Sequence, residues 1–152
     1  GDAVLWVTFS HDGRQLATAS EDRTVRIWNV AAEEGYNEIA ILQGHTGWVQ
    51  SVAFSPDDGL VASASKQGTV RVWDVASRQQ VNAIRGHTGR VWCAAFSPDG
   101  KTLASAGADG TVKLWDATAP AEYRLGPRLG DPVFAIGFAP DNTLLVYYPL
   151  IG

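Results

Sequence analysis

The chain has 152 residues, of which 45% are hydrophobic and only 18% are charged, with 16 Gly and 6 Trp. This composition is typical of a globular, turn-rich protein and excludes a disordered one. A formal net charge of -4 provides no basic surface for nucleic acid or for an anionic membrane, so we expect neither as a partner.

Short runs of alternating apolar and polar residues, separated by Gly, Asp and Pro, follow one another along the chain and predict strands joined by tight turns. Residues 10–30 read "SHDGRQLATASEDRTVRIWNV", and residues 55–75 and 97–117 repeat the same order of residue types. In the third copy, "RVWCAAFS", "TLASAG" and "TVKLWDA" predict three strands, and "EYRLGP" predicts a weaker fourth strand at the outer edge. The intervening "PDG" and "ADG" predict hairpin turns, in which Pro98 fixes its φ and Gly100 accepts a positive φ.

The copies recur at a fixed period. Trp28, Trp73 and Trp115 are separated by 45 and 42 residues, the differences of their numbers. Four Phe residues have the same spacing: Phe9, Phe54, Phe96 and Phe138. The extra residues of the first unit fall in "AAEEGYNEIAI", which predicts a longer surface loop. Periods of this size indicate an array of supersecondary units that cover one another's faces.

Four antiparallel strands per unit form a small sheet with apolar residues on both faces, so each sheet needs a neighbour on each side. Radial stacking of the sheets into a propeller satisfies that need. The prediction is therefore an all-β chain, residues 1–152 forming a single array with blades at approximately 1–43, 44–85 and 86–128 and a partial blade at 129–152.

The segments "GHTGWVQSVAFSPD" and "GHTGRVWCAAFSPDG", followed by "TVRVWD" and "TVKLWD", resemble the Gly-His and Trp-Asp signatures of the WD-repeat (WD40) β-propellers. The resemblance covers nearly the entire chain, at about three and a half repeats. It implies four-stranded blades around a central channel, used as a rigid platform for other proteins or peptides. The chain departs from the pattern at Asn29, at Gln67, where Asp is expected, and at Arg128-Leu129, which replace Gly-His.

The first Gly-His of the pattern falls before Gly1, and the fourth unit stops before a third strand. Propellers of this kind close with about 4–8 blades. We therefore expect a partial ring of about 3.5 blades, a piece of a larger ring or a half that completes itself with another copy, with self-association through its open edges.

His87, Ser105 and Asp109 invite interpretation as a catalytic triad. The resemblance implies instead a structural tetrad of His, Ser or Thr, Asp and Trp, and a buried indole N–H does need an acceptor. The tetrad residues are His87, Ser105, Asp109 and Trp115 in unit three, His45, Ser63 and Trp73 in unit two, and Thr18, Asp22 and Trp28 in unit one. Because catalysis is rarely needed once per blade, no catalytic residue is predicted.

Metal and cofactor sites are not predicted. Three His and one Cys lack metal-ligand spacing, the carboxylates of "SPDDG" and "SEDRT" lie in hairpin turns, and the Gly residues form no phosphate loop. Cys93 is expected to be a small core residue, and as the one cysteine it cannot form an internal disulfide. With no leader-like or membrane-spanning apolar run, these features predict a cytoplasmic protein.

Binding is then the expected function. The resemblance places the Gly-His loops and the turns between second and third strands on one face of the ring, and residues that vary between units there are Ala3, Trp48, Arg90, Pro132, Glu21, Lys66 and Ala108. Among these we predict Trp48, Arg90, Lys66 and Glu21 as partner-binding residues, since exposed Trp and Arg are favoured at interfaces. An alternative is that Trp48 packs on the adjacent blade loop.

The sequence thus predicts a non-enzymatic scaffold for a protein or peptide partner, with a self-assembling half-propeller as the alternative. An enzyme is disfavoured because the blades are nearly identical.

Overall fold

A computed structural model describes residues 2–31, 35–117 and 123–147. Within these ranges the chain contains no helix, and all the strand pairs are antiparallel. Three four-stranded sheets and one two-stranded sheet follow one another along the described chain.

Each four-stranded sheet is a simple meander, in which strands adjacent in sequence are adjacent in space. Blade 1 contains β1 (Val4–Phe9), β2 (Gln15–Ser20), β3 (Val25–Asn29) and β4 (Asn37–Leu42). Blade 2 contains β5 (Val49–Phe54), β6 (Leu60–Ser65), β7 (Thr69–Asp74) and β8 (Gln80–Arg85). Blade 3 contains β9 (Val91–Phe96), β10 (Thr102–Gly107), β11 (Thr111–Asp116) and β12 (Tyr123–Arg128). Blade 4 has the hairpin of β13 (Ala135–Phe138) and β14 (Leu144–Tyr147).

The first hairpins of blades 1, 2 and 3 are closed by the same Ser-x-Asp turn. In blade 3 the Ser97 hydroxyl donates to Asp99 Oδ1 at 2.6 Å and accepts from the Thr102 N–H at 2.9 Å. The third turn residue, Gly100, has φ of 71°, a conformation that glycine adopts without a steric penalty. The same bonds close the Ser10 and Ser55 turns, so blades 1, 2 and 3 each begin with a locally specified hairpin.

The hydrophobic core lies between the blades. One cluster joins blades 1 and 2 through residues such as Ile27, Val52 and Trp73. A second joins blades 2 and 3 around Val72 and Leu103. A third joins blade 3 to the β13–β14 hairpin. The first strand of each blade contacts the first strand of the next. The predicted all-β fold of stacked propeller blades is therefore confirmed.

Polar contacts also connect successive blades. The Ser51 hydroxyl of β5 accepts the Ala94 N–H of β9 at 3.1 Å. Between the first turns of blades 1 and 2, the Asp58 carboxylate accepts the N–H groups of His11 and Asp12 at 2.8 and 3.0 Å. These bonds fix the position of each blade relative to its neighbour.

The β1 side of blade 1 carries a row of exposed apolar side chains, among which Phe9 is 62% exposed. Beside it lies a groove of about 380 Å³. The groove is lined by Phe9, Gly13, Leu16, Trp28, Val30 and Tyr36. This open apolar face differs from the covered faces of blades 2 and 3.

Candidate functional site

The four residues predicted as a tetrad in blade 3 lie together in the structure. The Trp115 indole N–H donates to Ser105 Oγ at 2.9 Å, and Ser105 Oγ lies 2.8 Å from His87 Nε2. His87 Nδ1 lies 3.0 Å from both carboxylate oxygens of Asp109. Because a carboxylate only accepts, Nδ1 carries the proton and the Ser105 hydroxyl donates to Nε2.

Asp109 is held by three further donors. Thr111 donates through its hydroxyl at 2.7 Å and its N–H at 3.1 Å, and Thr88 donates its N–H at 3.1 Å. Desolvation raises the pKa of Asp109, but the hydrogen bonds from Thr111, His87 and Thr88 outweigh it and lower the pKa to about 2. Burial lowers the pKa of His87 despite the opposing effect of Asp109, so the imidazole is neutral at pH 7.

A Ser-His-Asp arrangement can act as a nucleophile only if the serine oxygen reaches a substrate. Ser105 is fully buried, and its oxygen already accepts the Trp115 indole N–H. The His87 side chain is 1% exposed. The arrangement connects the loop that precedes β9 to strands β10 and β11, and it presents no nucleophile to solvent.

Blade 2 has only part of this network. The Trp73 indole N–H donates to Ser63 Oγ at 2.8 Å, and Ser63 Oγ lies 2.7 Å from His45 Nε2. His45 is 6% exposed, and its Nδ1 has no hydrogen-bond partner among the described residues. Desolvation, with a smaller contribution from the charge of Arg71, lowers the pKa of His45 to about 3. Gln67, at the position of Asp109, is exposed and does not bond to this ring.

Blade 1 keeps the indole bond but uses its Asp differently. The Trp28 indole N–H donates to Thr18 Oγ1 at 3.1 Å. Asp22 accepts from the Thr24 hydroxyl at 2.6 Å and from Arg26 at 3.0 Å. The structure therefore brings Thr18 and Trp28 together and places Asp22 in a separate pair with Arg26.

Gly107, which the repeat pattern did not point to, leaves room for the full network in blade 3. A Cβ on Gly107 would lie 2.5 Å from His87 Nδ1 and 2.9 Å from Asp109 Oδ1. Blade 2 has Ser65 at this position, and the Ser65 hydroxyl bonds to Thr69 Oγ1 at 2.8 Å and accepts the Gln67 N–H at 3.3 Å. Blade 3 thus has Gly where blade 2 has Ser65 and blade 1 has Ser20, a difference that is visible when the units are aligned.

The loops before the first strands and the turns between second and third strands meet at one end of the blades, here called the loop face. Trp48 is 39% exposed, and Lys66 Nζ lies 4.1 Å from the centre of its ring. Arg90 stacks at 4.3 Å on Trp92, which the sequence analysis did not select, and Trp92 contacts Phe134 at 5.0 Å between ring centres. Two cation–aromatic pairs thus lie on this face.

The remaining predicted residue, Glu21, is half-buried, and its N–H donates to Ala3 O at 3.0 Å. Glu21 belongs to blade 1 and takes part in neither of the two cation–aromatic pairs. Cys93 is buried and is a free thiol whose pKa is raised by burial.

In the described part of the chain, no group of three or more His, Cys, Asp or Glu side chains is placed to hold a metal ion. Residues 2–31, 35–117 and 123–147 also contain no helix long and apolar enough to cross a membrane.

Meander sheets stacked face to face, each with an indole bonded to a serine or threonine of the neighbouring strand, define the class of WD-repeat propeller proteins. The family described as WD domain, G-beta repeat, matches residues 1–29, 36–74 and 78–116, which is more than half of the chain. The chain belongs to this family, whose repeats are typical of interaction scaffolds.

Individual relatives match over shorter stretches. Protein transport protein SEC13 of Cryptococcus neoformans var. neoformans serotype D (strain JEC21) is 42% identical over 52 residues, which is 34% of this chain and 16% of that protein. Periodic tryptophan protein 2 homolog of Neurospora crassa is 46% identical over 44 residues, 29% of this chain and 5% of that protein. The chain therefore matches only a small share of the length of these relatives.

Proposed function

We propose that this chain is a non-enzymatic β-propeller scaffold, a segment of a larger propeller or multidomain protein, which binds a protein or peptide on its loop face. Trp48 and Arg90 are the main binding residues, with Lys66 and Glu21 beside them. The tetrads of the three blades have a structural role. The proposal includes a cytoplasmic location, with the free Cys93 thiol in keeping with a reducing compartment, and excludes nucleic acid and membranes as partners.

The observation that carries this proposal is the pair of Trp48 and Lys66. A Trp side chain that is 39% exposed and lies 4.1 Å beneath an ammonium group offers both apolar area and charge to a partner. Trp and Arg are the residue types that most often dominate interface energy, and cation–aromatic contacts strengthen when a partner excludes water. Arg90, on Trp92, provides the second such element.

The test is selection of peptides from a displayed random library on the immobilised chain, followed by affinity measurement on variants. Trp48→Ala and Arg90→Ala are expected to weaken binding of the selected peptides by about 1–2 kcal/mol each, or roughly 5- to 30-fold. Tyr36→Ala and Arg14→Ala are the matched controls, since both side chains are exposed and lie away from the loop face. Circular dichroism of all four variants checks that the fold is retained.

If Tyr36→Ala and Arg14→Ala weaken binding while Trp48→Ala does not, the binding surface lies at the rim or on the opposite end of the blades, and the proposed site is wrong.

A second candidate function is self-assembly. The exposed apolar side chains of β1 and the groove between Phe9 and Tyr36 favour it, because contiguous apolar surface of this kind marks association sites.

A further inference from the structure

We propose that the partner of this loop face presents an acidic segment, and that blade 2, together with the loop that leads into blade 3, is the part of the face that binds it. The proposal rests on the proposed function and adds the chemical class of the partner. The binding surface is the cation cluster of Lys66, Arg71, Arg85 and Arg90, together with the Trp48 ring.

The cation cluster lacks internal neutralisation. Among the described residues, none of its four members forms a salt bridge with a carboxylate. Blade 1 is the opposite case, since Arg26, at the position of Arg71, pairs with Asp22 at 3.0 Å and with Glu38 at 2.8 Å. The chain as a whole has a net charge of -4, so the positive charge of blade 2 is local.

Two sequence changes produce this difference: Gln67 replaces the Asp of blade 1, and Gln80, which accepts a hydrogen bond from Arg71 Nη1, stands at the register position of Glu38. Asp22 and Asp109 occupy the same position in blades 1 and 3, so Gln67 removes a negative charge next to Lys66 and four residues before Arg71. Two buried nitrogen atoms of blade 2 and its preceding loop, His45 Nδ1 and Arg71 Nε, have no partner among the described residues. Burial and the neighbouring Arg85 both lower the pKa of Arg71, which is the effect expected where cations lie close without a counter-charge.

Lys66 and Arg90 lie in adjoining loops, whereas Arg71 lies in β7 and Arg85 ends β8. Lys66 N–H donates to Trp48 O at 2.9 Å, which joins the turn of Lys66 to the loop of Trp48. A Cβ on Gly68, two residues further, would lie 2.9 Å from His87 O and 3.0 Å from Gly89 O, so this turn packs directly on the loop that leads to Arg90. Arg71 carries its guanidinium against Gly44, where a Cβ would be 3.0 Å from its Nη1.

This arrangement suits a peptide with carboxylates flanking an apolar residue. Its carboxylates pair with the exposed Lys66 ammonium and the half-buried Arg90 guanidinium. Its apolar side chain covers Trp48, where exclusion of water strengthens the contact of Lys66 with the ring. A nucleic acid also offers anions, but four cations on an acidic chain fall short of the extended basic surface that such ligands require.

The experiment measures fluorescence anisotropy of a labelled peptide rich in Asp, Glu and Leu, in parallel with its Asn and Gln counterpart and a single-stranded oligonucleotide. The acidic peptide is expected to bind more tightly than the neutral one, with an affinity that falls as salt increases. Lys66→Gln and Gln67→Asp are each expected to weaken it about 2- to 5-fold. Lys101→Gln, an exposed lysine in a turn at the opposite end of blade 3, is the control and is expected to leave affinity unchanged.

Equal affinity for the acidic and neutral peptides, or no effect of Lys66→Gln and Gln67→Asp, overturns the acidic preference. In that case, loss of peptide binding by Trp48→Ala would still support the proposed function. Tighter binding of the oligonucleotide also overturns this inference. If neither these peptides nor library-selected ones depend on Trp48 or Arg90, the proposed function fails together with it.

Discussion

Single hydrogen bonds in the blade interior distinguish the three repeats at the residue scale. Ser105 accepts the Trp115 indole N–H and contacts the His87 ring, so one hydroxyl joins two strands to the loop that precedes the blade. A buried network in which every member has a partner stabilises and specifies a structure, whereas removal of one member leaves a buried polar group unpaired.

Trp115→Phe tests the structural role of this network. The change removes the indole donor at a residue that is 3% exposed, and it is expected to lower the free energy of unfolding by about 1–3 kcal/mol. Urea denaturation followed by fluorescence or circular dichroism measures the effect. Trp48→Phe, at an exposed indole, is the control and is expected to have little effect. Unchanged stability in Trp115→Phe would show that Ser105 does not depend on this donor.

His45 makes stability depend on pH. Its pKa is about 3 in the folded chain, mainly because of desolvation, against about 6.5 in an unfolded chain. Between these values the unfolded chain binds a proton at His45 that the folded chain does not bind, so the unfolded state gains stability as the pH falls. Above about pH 6.5, His45 does not lower the free energy of unfolding. Between about pH 6.5 and the folded pKa, the free energy of unfolding falls by about 1.4 kcal/mol for each unit by which the pH decreases.

The measurement is urea denaturation of the chain and of His45→Gln at several pH values from about 7 down to about 5. His45→Gln is expected to be less stable at pH 7 but to lose less stability on acidification than the parent chain. Equal pH dependence of the two proteins would mean that His45 has the same pKa in the folded and the unfolded chain.

Alignment of the repeats predicted which His, Ser, Thr, Asp and Trp residues occupy equivalent positions. It did not reveal that His87 packs against Gly107 so closely that a Cβ there would lie 2.5 Å from Nδ1, because this depends on the distance between the backbone and the ring. The contact of Trp92 with Arg90 and Phe134 was also missed. The contact of Trp92 with Phe134 crosses from blade 3 to blade 4, and a sequence read one unit at a time contains no signal for it.

At the scale of elements, the hairpin turns connect neighbouring blades as well as neighbouring strands. Asp58 has φ of 59° in the first turn of blade 2, a position taken by Gly13, Gly100 and Asn142 in the other units. Its carboxylate accepts two N–H groups of the blade 1 turn and contacts the His11 ring at 2.9 Å. The Asn142 side chain accepts the Asp99 N–H at 3.3 Å between blades 4 and 3.

Asp58→Gly tests this connection between blades. Glycine tolerates the positive φ, so the change removes the acceptor without backbone strain and is expected to cost about 1–2 kcal/mol. Hydrogen exchange of the His11 and Asp12 amides should become faster. Asp58→Asn keeps an acceptor oxygen and should have a smaller effect. Unchanged exchange in Asp58→Gly would show that the two turns are held by core packing alone.

The strands themselves were predictable because each is a run of alternating residues bounded by a Ser-x-Asp or Gly turn. The predicted "TLASAG" coincides with β10, while "RVWCAAFS" extends one residue beyond β9 at each end. Contacts between turns of different blades, such as that of Asp58 with His11, could not be predicted, because they depend on how closely two sheets pack and on the twist between them.

At the scale of the whole molecule, the blades stack so that each covers one face of the next, and the covered faces form the three core clusters. The repeat period predicted this stacking, since a sheet with two apolar faces needs two neighbours. The β1 side of blade 1 is different, because Val4, Val7 and Phe9 are each more than half exposed. The equivalent positions of the first strands in blades 2 and 3 are also apolar, but there the side chains are buried: Val49, Val52 and Phe54 in blade 2, and Val91 and Phe96 in blade 3.

This exposed face predicts that the 152-residue chain associates in solution. Light scattering is expected to give a mass above the 16.3 kDa of one chain, increasing with protein concentration, because burial of apolar surface contributes about 25 cal/mol per Å². The double variant Val7→Ser with Phe9→Ser should shift the mass toward 16.3 kDa. Val81→Ser, at an exposed valine on the outer strand of blade 2, is the control and should leave association unchanged. A monodisperse species of 16.3 kDa with one cooperative unfolding transition would contradict the prediction, because it would mean that the β1 face is stable in water without a partner.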